Sequence, residues 1–277
     1  MSEFVHKRSR DIGDTLTDTF IYIRENFKTL GKGFLFFVIP LYIIQFFLLK
    51  DYQAQAFSQM FDPTNTISPG SIFGWKYFLG LFLSIASTSM MTVITLKHIN
   101  LTSRSEEPCL GNLSEGAIPN MFRFIWLYTL VSLASGFSML LFIIPGIFMA
   151  VKLSLSFSAL IIEDNSISEA ISRSWELTKD HWWVTFALLI IMYIISFMVS
   201  YSVLIPTIIL SAFTAESGLA TDSTFWTSIY TIINAVFTAV SALTYSVMLI
   251  ATSLHLYNLA ERKEGGSLRS RIEGLVD

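Results

Sequence analysis

Six long apolar stretches sort the chain's 18 lysines and arginines, and this sorting constrains the fold more than any motif does. If each stretch crosses a bilayer, only Lys50 and Lys76 fall on one face and Lys152 falls inside a span. The other fifteen basic residues share the opposite face. Basic residues in short loops resist translocation, so the bias predicts a multi-pass protein with both termini in the cytoplasm. Hydrophobic residues make up 53% of the chain and charged ones only 14%, against roughly 25% charged in an ordinary soluble domain. A soluble fold has too little polar cover for that surface; a bilayer removes the difficulty. The net charge of −3 gives no reason to expect a nucleic acid partner.

The expected fold is all-α, an integral membrane bundle of six transmembrane helices with two or three interfacial amphipathic helices. The spans fall at about 30–49, 77–96, 124–143, 147–162, 182–204 and 229–256, near the ~20 residues that cross ~30 Å of hydrocarbon. They form one domain over 1–261, followed by a charged cytoplasmic tail at 262–277 that is expected to be mobile at its end. No apolar run precedes Phe34, so the first span is expected to serve as an uncleaved insertion signal. Pro40 kinks that span, Pro63, Asn65 and Pro69-Gly70 mark an external loop, and Pro145-Gly146 turns a tight hairpin between spans three and four.

The interfacial helices are expected over 10–28 and 166–179. In the first, Ile12, Leu16, Phe20, Ile23 and Phe27 recur at three- and four-residue intervals opposite Asp11, Asp14, Asp18, Arg24 and Glu25. This stripe lies in the headgroup boundary or against the bundle. In the second, Ser166 and Glu169 have capping-box spacing, Ile167, Ile171, Trp175 and Thr178 form the apolar face, and Glu169 is spaced to pair with Arg173. A shift of 155 positions lays Ile12, Leu16, Phe20 and Phe27 on Ile167, Ile171, Trp175 and Trp182. With a weaker echo at Leu113–Ala117, this suggests a threefold unit of interfacial helix plus two-span hairpin.

Four features carry candidate chemistry. Lys152 is the ionisable residue inside a span, which is costly in hydrocarbon. Two readings stand: a grip on an anionic group or ion path, or a structural lysine snorkelling to the headgroups beyond the hairpin tip. Arg173 and Trp175 suit docking to anionic lipid or to another membrane protein, or bracing of spans four and five. Asn234, Thr238, Ser241 and Tyr245 put polar groups on one face of span six, either lining a conduit or gluing helices. His6, His98, His181 and His255 lack metal-ligand spacing, so no metal or other cofactor is expected. The single cysteine, Cys109, excludes an internal disulfide.

The stretch Ile144-Pro145-Gly146-Ile147, then Lys152, Glu163-Asp164-Asn165-Ser166, Glu169-Ala170, Arg173-Ser174-Trp175 and Trp182-Trp183 resembles a bacterial membrane module. It is similar to the multi-spanning domain that precedes the catalytic part of some glycerophosphodiester phosphodiesterases, and to related stand-alone membrane proteins. The resemblance covers about forty residues and implies a six-helix fold in the bacterial cytoplasmic membrane, but no activity. The part of such enzymes that performs phosphodiester chemistry has no counterpart among the 277 residues. The expected role is non-catalytic, a scaffold or a lipid-associated envelope protein with membrane lipid as its partner. The alternative is a permease for an amphiphile or small solute, with Lys152 and the Asn234 stripe lining the path.

Overall fold

The computed structural model describes residues 10–59, 74–217 and 224–273. The loop residues Pro63, Asn65 and Pro69-Gly70, His6 and the last four tail residues lie outside them. Every element among the described residues is an α-helix. They are α1 (Ile12–Phe37), α2 (Ile39–Gln59), α3 (Trp75–Ser103), α4 (Leu110–Ser114), α5 (Ala117–Leu141), α6 (Ile143–Leu153), α7 (Ser156–Ile162), α8 (Ile167–Leu177), α9 (Trp182–Ser217) and α10 (Thr224–Glu273). Five segments are long and apolar enough to cross a membrane: Trp75–Ser103, Ala117–Leu141, Ile143–Ile162, Trp182–Ser202 and Ile232–Gly265. The pair Ile12–Phe37 and Ile39–Lys50, bent by 46°, makes a sixth if the two helices count as one broken span. Among the described residues the chain is all-α, with five to six helical segments of the length and apolarity of an α-helical membrane bundle.

Two compact units divide it. The first comprises Met1–Phe34, Ser89–Tyr193 and Ser246–Asp277; the second comprises Leu35–Thr88 and Ile194–Tyr245. The sequence reading makes no such division. The first unit packs Ile94, Leu96, Leu113, Leu127, Leu160, Leu188 and Leu254 into its interior.

Three boundaries differ from those expected. The first interfacial segment is not separate from its span, because α1 runs unbroken through Lys28 to Phe37. The bend comes at Val38, two residues before Pro40. Proline lacks an amide and crowds the carbonyl four residues back, so it places the break. The hairpin turns at Phe142 alone, in extended conformation, and Pro145-Gly146 lie inside the first turn of α6. Proline fits there because amides of a first helical turn have no intrahelical acceptor. Gly146 sits where a Cβ would come within 2.6 Å of the Met139 Cα, so the hairpin legs touch through their backbones. The tail beyond Arg262 continues α10 to Glu273 instead of separating from it.

Both amphipathic helices turn their small and polar side inward. Thr15, Asp18, Thr19 and Tyr22 of α1 are buried, whereas Phe20 and Phe27 are 49% and 59% exposed. On α8 the buried residues are Ala170, Ser174 and Leu177, with Thr178 just beyond its end, whereas Trp175 of the apolar face is 41% exposed. Lipid tails are as apolar as leucine, so no hydrophobic force draws large side chains inward. Close packing and hydrogen bonds decide the contact face instead.

Candidate functional site

The span Ile143–Ile162 is interrupted at Ser154 and Leu155, between α6 and α7. Its own hydroxyls crowd the break: Ser154 Oγ donates to the Val151 carbonyl at 2.8 Å and Ser156 Oγ to the Leu153 carbonyl at 2.6 Å. Such back-bonding competes with the helical ladder. Ser174 of α8 completes the joint. Its Oγ accepts from the Leu155 amide at 3.2 Å and donates to the Lys152 carbonyl at 2.7 Å. A side chain inserted into the ladder is one of the few causes of a helix kink. Here one buried hydroxyl meets both a backbone donor and a backbone acceptor.

Helix α8 presents that hydroxyl because its ends are fixed. Ser166 Oγ accepts from the Glu169 amide at 3.3 Å, and the Glu169 carboxylate accepts from the Ser166 amide at 2.8 Å, the capping box read from the sequence. These bonds stabilise the ionised carboxylate and hold Glu169 below the usual carboxylate range. At the other end, Lys152 Nζ donates to the Trp175 carbonyl at 3.4 Å. It also lies 5.4 Å from the Trp175 ring and 5.8 Å from the Phe148 ring. The last carbonyls of a helix carry its negative dipole end, and aromatic faces attract cations. Lys152 is 4% exposed, and among the described residues it makes no ion pair within 4.0 Å. It turns toward α8 and does not snorkel past the hairpin tip. Phe148 is the hub of this corner: Trp182 stacks on it at 5.9 Å and Trp175 meets it edge-on at 6.2 Å.

Arg173 is the second anchor. Its Nε donates to both Glu163 oxygens at 3.1 Å, and a terminal nitrogen reaches Glu264 at 2.7 Å. The expected pairing with Glu169 does not form, because that carboxylate is committed to the cap. Burial opposes the Arg173 charge, but the Glu264 and Glu163 carboxylates outweigh it and raise the guanidinium above its ordinary value. Lys263 of α10 pairs with Glu176 one turn along and lowers that carboxylate. At the hairpin base, Arg123 bonds Asp164 at 3.0 Å and also the Asn165 carbonyl. Charged side chains thus tie α8 to the end of α7 and to α10.

Elsewhere in this unit α10 holds Arg10, just ahead of α1. Asn258 Oδ1 accepts from the Arg10 amide at 2.9 Å, and Asn258 Nδ2 donates to the Arg10 carbonyl at 3.0 Å. The Arg10 side chain is buried against Asp18 at 2.7 Å. The two buried histidines sit in matching places. His98 Nε2 lies 2.8 Å from Thr29 Oγ1, and His255 Nε2 lies 2.9 Å from Thr185 Oγ1. Thr29 donates to the Asn26 carbonyl and Thr185 to the carbonyl of His181, just ahead of α9, so each imidazole is the donor to its threonine. The pairs span 69 and 70 residues. His98 Nδ1 accepts from Tyr22 at 2.6 Å. These partners are hydroxyls, and among the described residues no three His, Cys, Asp or Glu groups converge as a metal site would need.

Of the residues singled out in the sequence, Lys152, Arg173 and Trp175 come together around α8. Asn234 belongs to the second unit, where its carbonyl accepts from Thr238 at 2.9 Å. Sequence reasoning missed Ser174, Glu163, Glu264 and Trp182 as members of the cluster. The available signal was Ala170 and Ser174 at small-xxx-small spacing, which marks a membrane helix contact face. Neither a curated protein nor a solved structure matches this chain. One family description does match, over residues 117–257, and these hold Lys152, Ser174, Trp175 and His255. That match covers just over half of the chain, which therefore belongs to the family described as Domain of unknown function (DUF7847).

Proposed function

We propose that the chain is a non-catalytic scaffold or lipid-associated protein of the bacterial cytoplasmic membrane, with both termini in the cytoplasm. One observation carries the reading. Three consecutive residues, Arg173, Ser174 and Trp175, are each taken up in joining α8 to its neighbours, and Trp175 and Trp183 remain 41% and 75% exposed. Exposed tryptophans beside charged helix ends suit the headgroup layer, which makes membrane lipid the first partner and another membrane protein the second. Arg173 is neutralised by its two carboxylates, so contact with lipid falls to the tryptophans. The resemblance to the membrane domain of glycerophosphodiester phosphodiesterases belongs to the same proposal.

A permease is the second reading. It is favoured by the discontinuity at Ser154–Leu155 beside a buried lysine, since carriers build sites at broken spans. Substituted-cysteine labelling separates the two. In a Cys109→Ser background, cysteines at Asn234, Thr238 and Ser241 should resist an aqueous maleimide if the span-six stripe is packing glue. Labelling at these positions, together with loss of solute flux in Lys152→Met, would reject the scaffold in favour of the permease.

A further inference from the structure

The hairpin of α5 and α6 is polar at its base and wholly apolar at its tip. Arg123 and Asp164 close the base. From Met139 to Met149 no residue carries a polar side chain. Leu140 and Ile144 are 84% and 81% exposed, and Phe142 is 71% exposed. An open apolar hollow of ≈ 830 Å³ is lined by Met139 through Pro145. A loop ending in water would place these side chains at their least favourable address.

The backbone makes the opposite demand. The turn closes on two bonds, Phe142 amide to Ser138 carbonyl at 3.0 Å and Gly146 amide to Phe142 carbonyl at 3.2 Å. Helix ends leave further groups over, here the amides of Ile143 and Ile144 and the carbonyls of Met139, Leu140 and Leu141. Unpaired groups of this kind do not persist in hydrocarbon, where each costs several kcal/mol. Side chains that need acyl chains and a backbone that needs water or headgroups are satisfied together only at the hydrocarbon boundary. The leg lengths agree. From Arg123 to Phe142 a helix rises about 28 Å, close to the ~30 Å hydrocarbon thickness.

We infer that the Met139–Pro145 tip is a lipid-binding surface, seated at the glycerol level of the leaflet opposite the Arg123–Asp164 base, with acyl chains covering Leu140, Phe142 and Ile144. The inference rests on the membrane-spanning fold and is independent of the proposed scaffold role. It is tested with an environment-sensitive fluorophore on Phe142→Cys in the Cys109→Ser background, in nanodiscs of phospholipid. Leu140→Cys and Ile144→Cys are parallel probes should Phe142→Cys disturb the fold, and Ser168→Cys, exposed on α8, is the aqueous reference. The tip probes should lose most of their emission to lipids brominated near the glycerol and little to iodide, while Ser168→Cys is quenched by iodide. Iodide quenching at the tip equal to the reference would place the tip in water and overturn the inference. So would stronger quenching by bromines at the chain ends, or quenching by neither agent, which would mean a bilayer-centre turn or a protein cover.

Discussion

At the residue scale, Ser174 joins the broken span to the interfacial helix with one hydroxyl. Ser174→Ala strands the Leu155 amide and the Lys152 carbonyl, both buried, and unsatisfied buried groups cost about 1–3 kcal/mol. Thermal unfolding in detergent should show that loss, whereas Ser172→Ala, exposed on the same helix, should stay within about 0.5 kcal/mol of the parent. Equal stability of the two variants would remove Ser174 from the joint. The sequence shows Ser174 only as a serine in a charged segment. Its task comes from a break in another helix nineteen residues away.

At the element scale, two contacts decide how helices end and turn. Gly146 lets α5 and α6 meet, and the nearest atoms to an added Cβ are Met139 backbone, which cannot swing aside. Gly146→Ala should therefore overpack the hairpin by about 1–3 kcal/mol, read as a lowered melting temperature. The start of α8 should respond to acid. Its cap lowers the Glu169 pKa in the folded helix, so the contribution is complete above the ordinary glutamate range, about 4.3, and is lost as pH falls through the lower folded value. Amide protection at Ile167–Ala170 should be flat at neutral pH and fall only below that range. Early loss near neutrality would mean that the cap does not hold the helix. The capping box was legible in sequence because it is local. The orientation of α8 was not, because small residues, not large apolar ones, mark the inward face in lipid.

At the scale of the molecule, lipid is the solvent for most of the apolar surface. Leu133, Phe137 and Met198 are all more than 60% exposed, as are Ile208 and Ile209. The protein should stay in the membrane pellet through alkaline carbonate and leave it only in detergent. Recovery in the aqueous fraction would be incompatible with the fold. The pairing of His98 with Thr29 and of His255 with Thr185 belongs to this scale too, since it aligns distant parts of the first compact unit. No spacing rule in the sequence connects a threonine to a histidine 69 residues on.

The sequence by itself determined the class of fold, the apolar segments, the Pro40 bend and the α8 cap. Each follows from composition or from neighbours within one helical turn, and hydrocarbon leaves helices as the way to pair backbone groups within a segment. Tertiary structure alone decided where Lys152 points, which carboxylates hold Arg173, and why Ser174 stands between them. A hydroxyl or a charge in a low-dielectric layer takes whichever partner the packing brings within about 3 Å, and chain order does not encode that meeting.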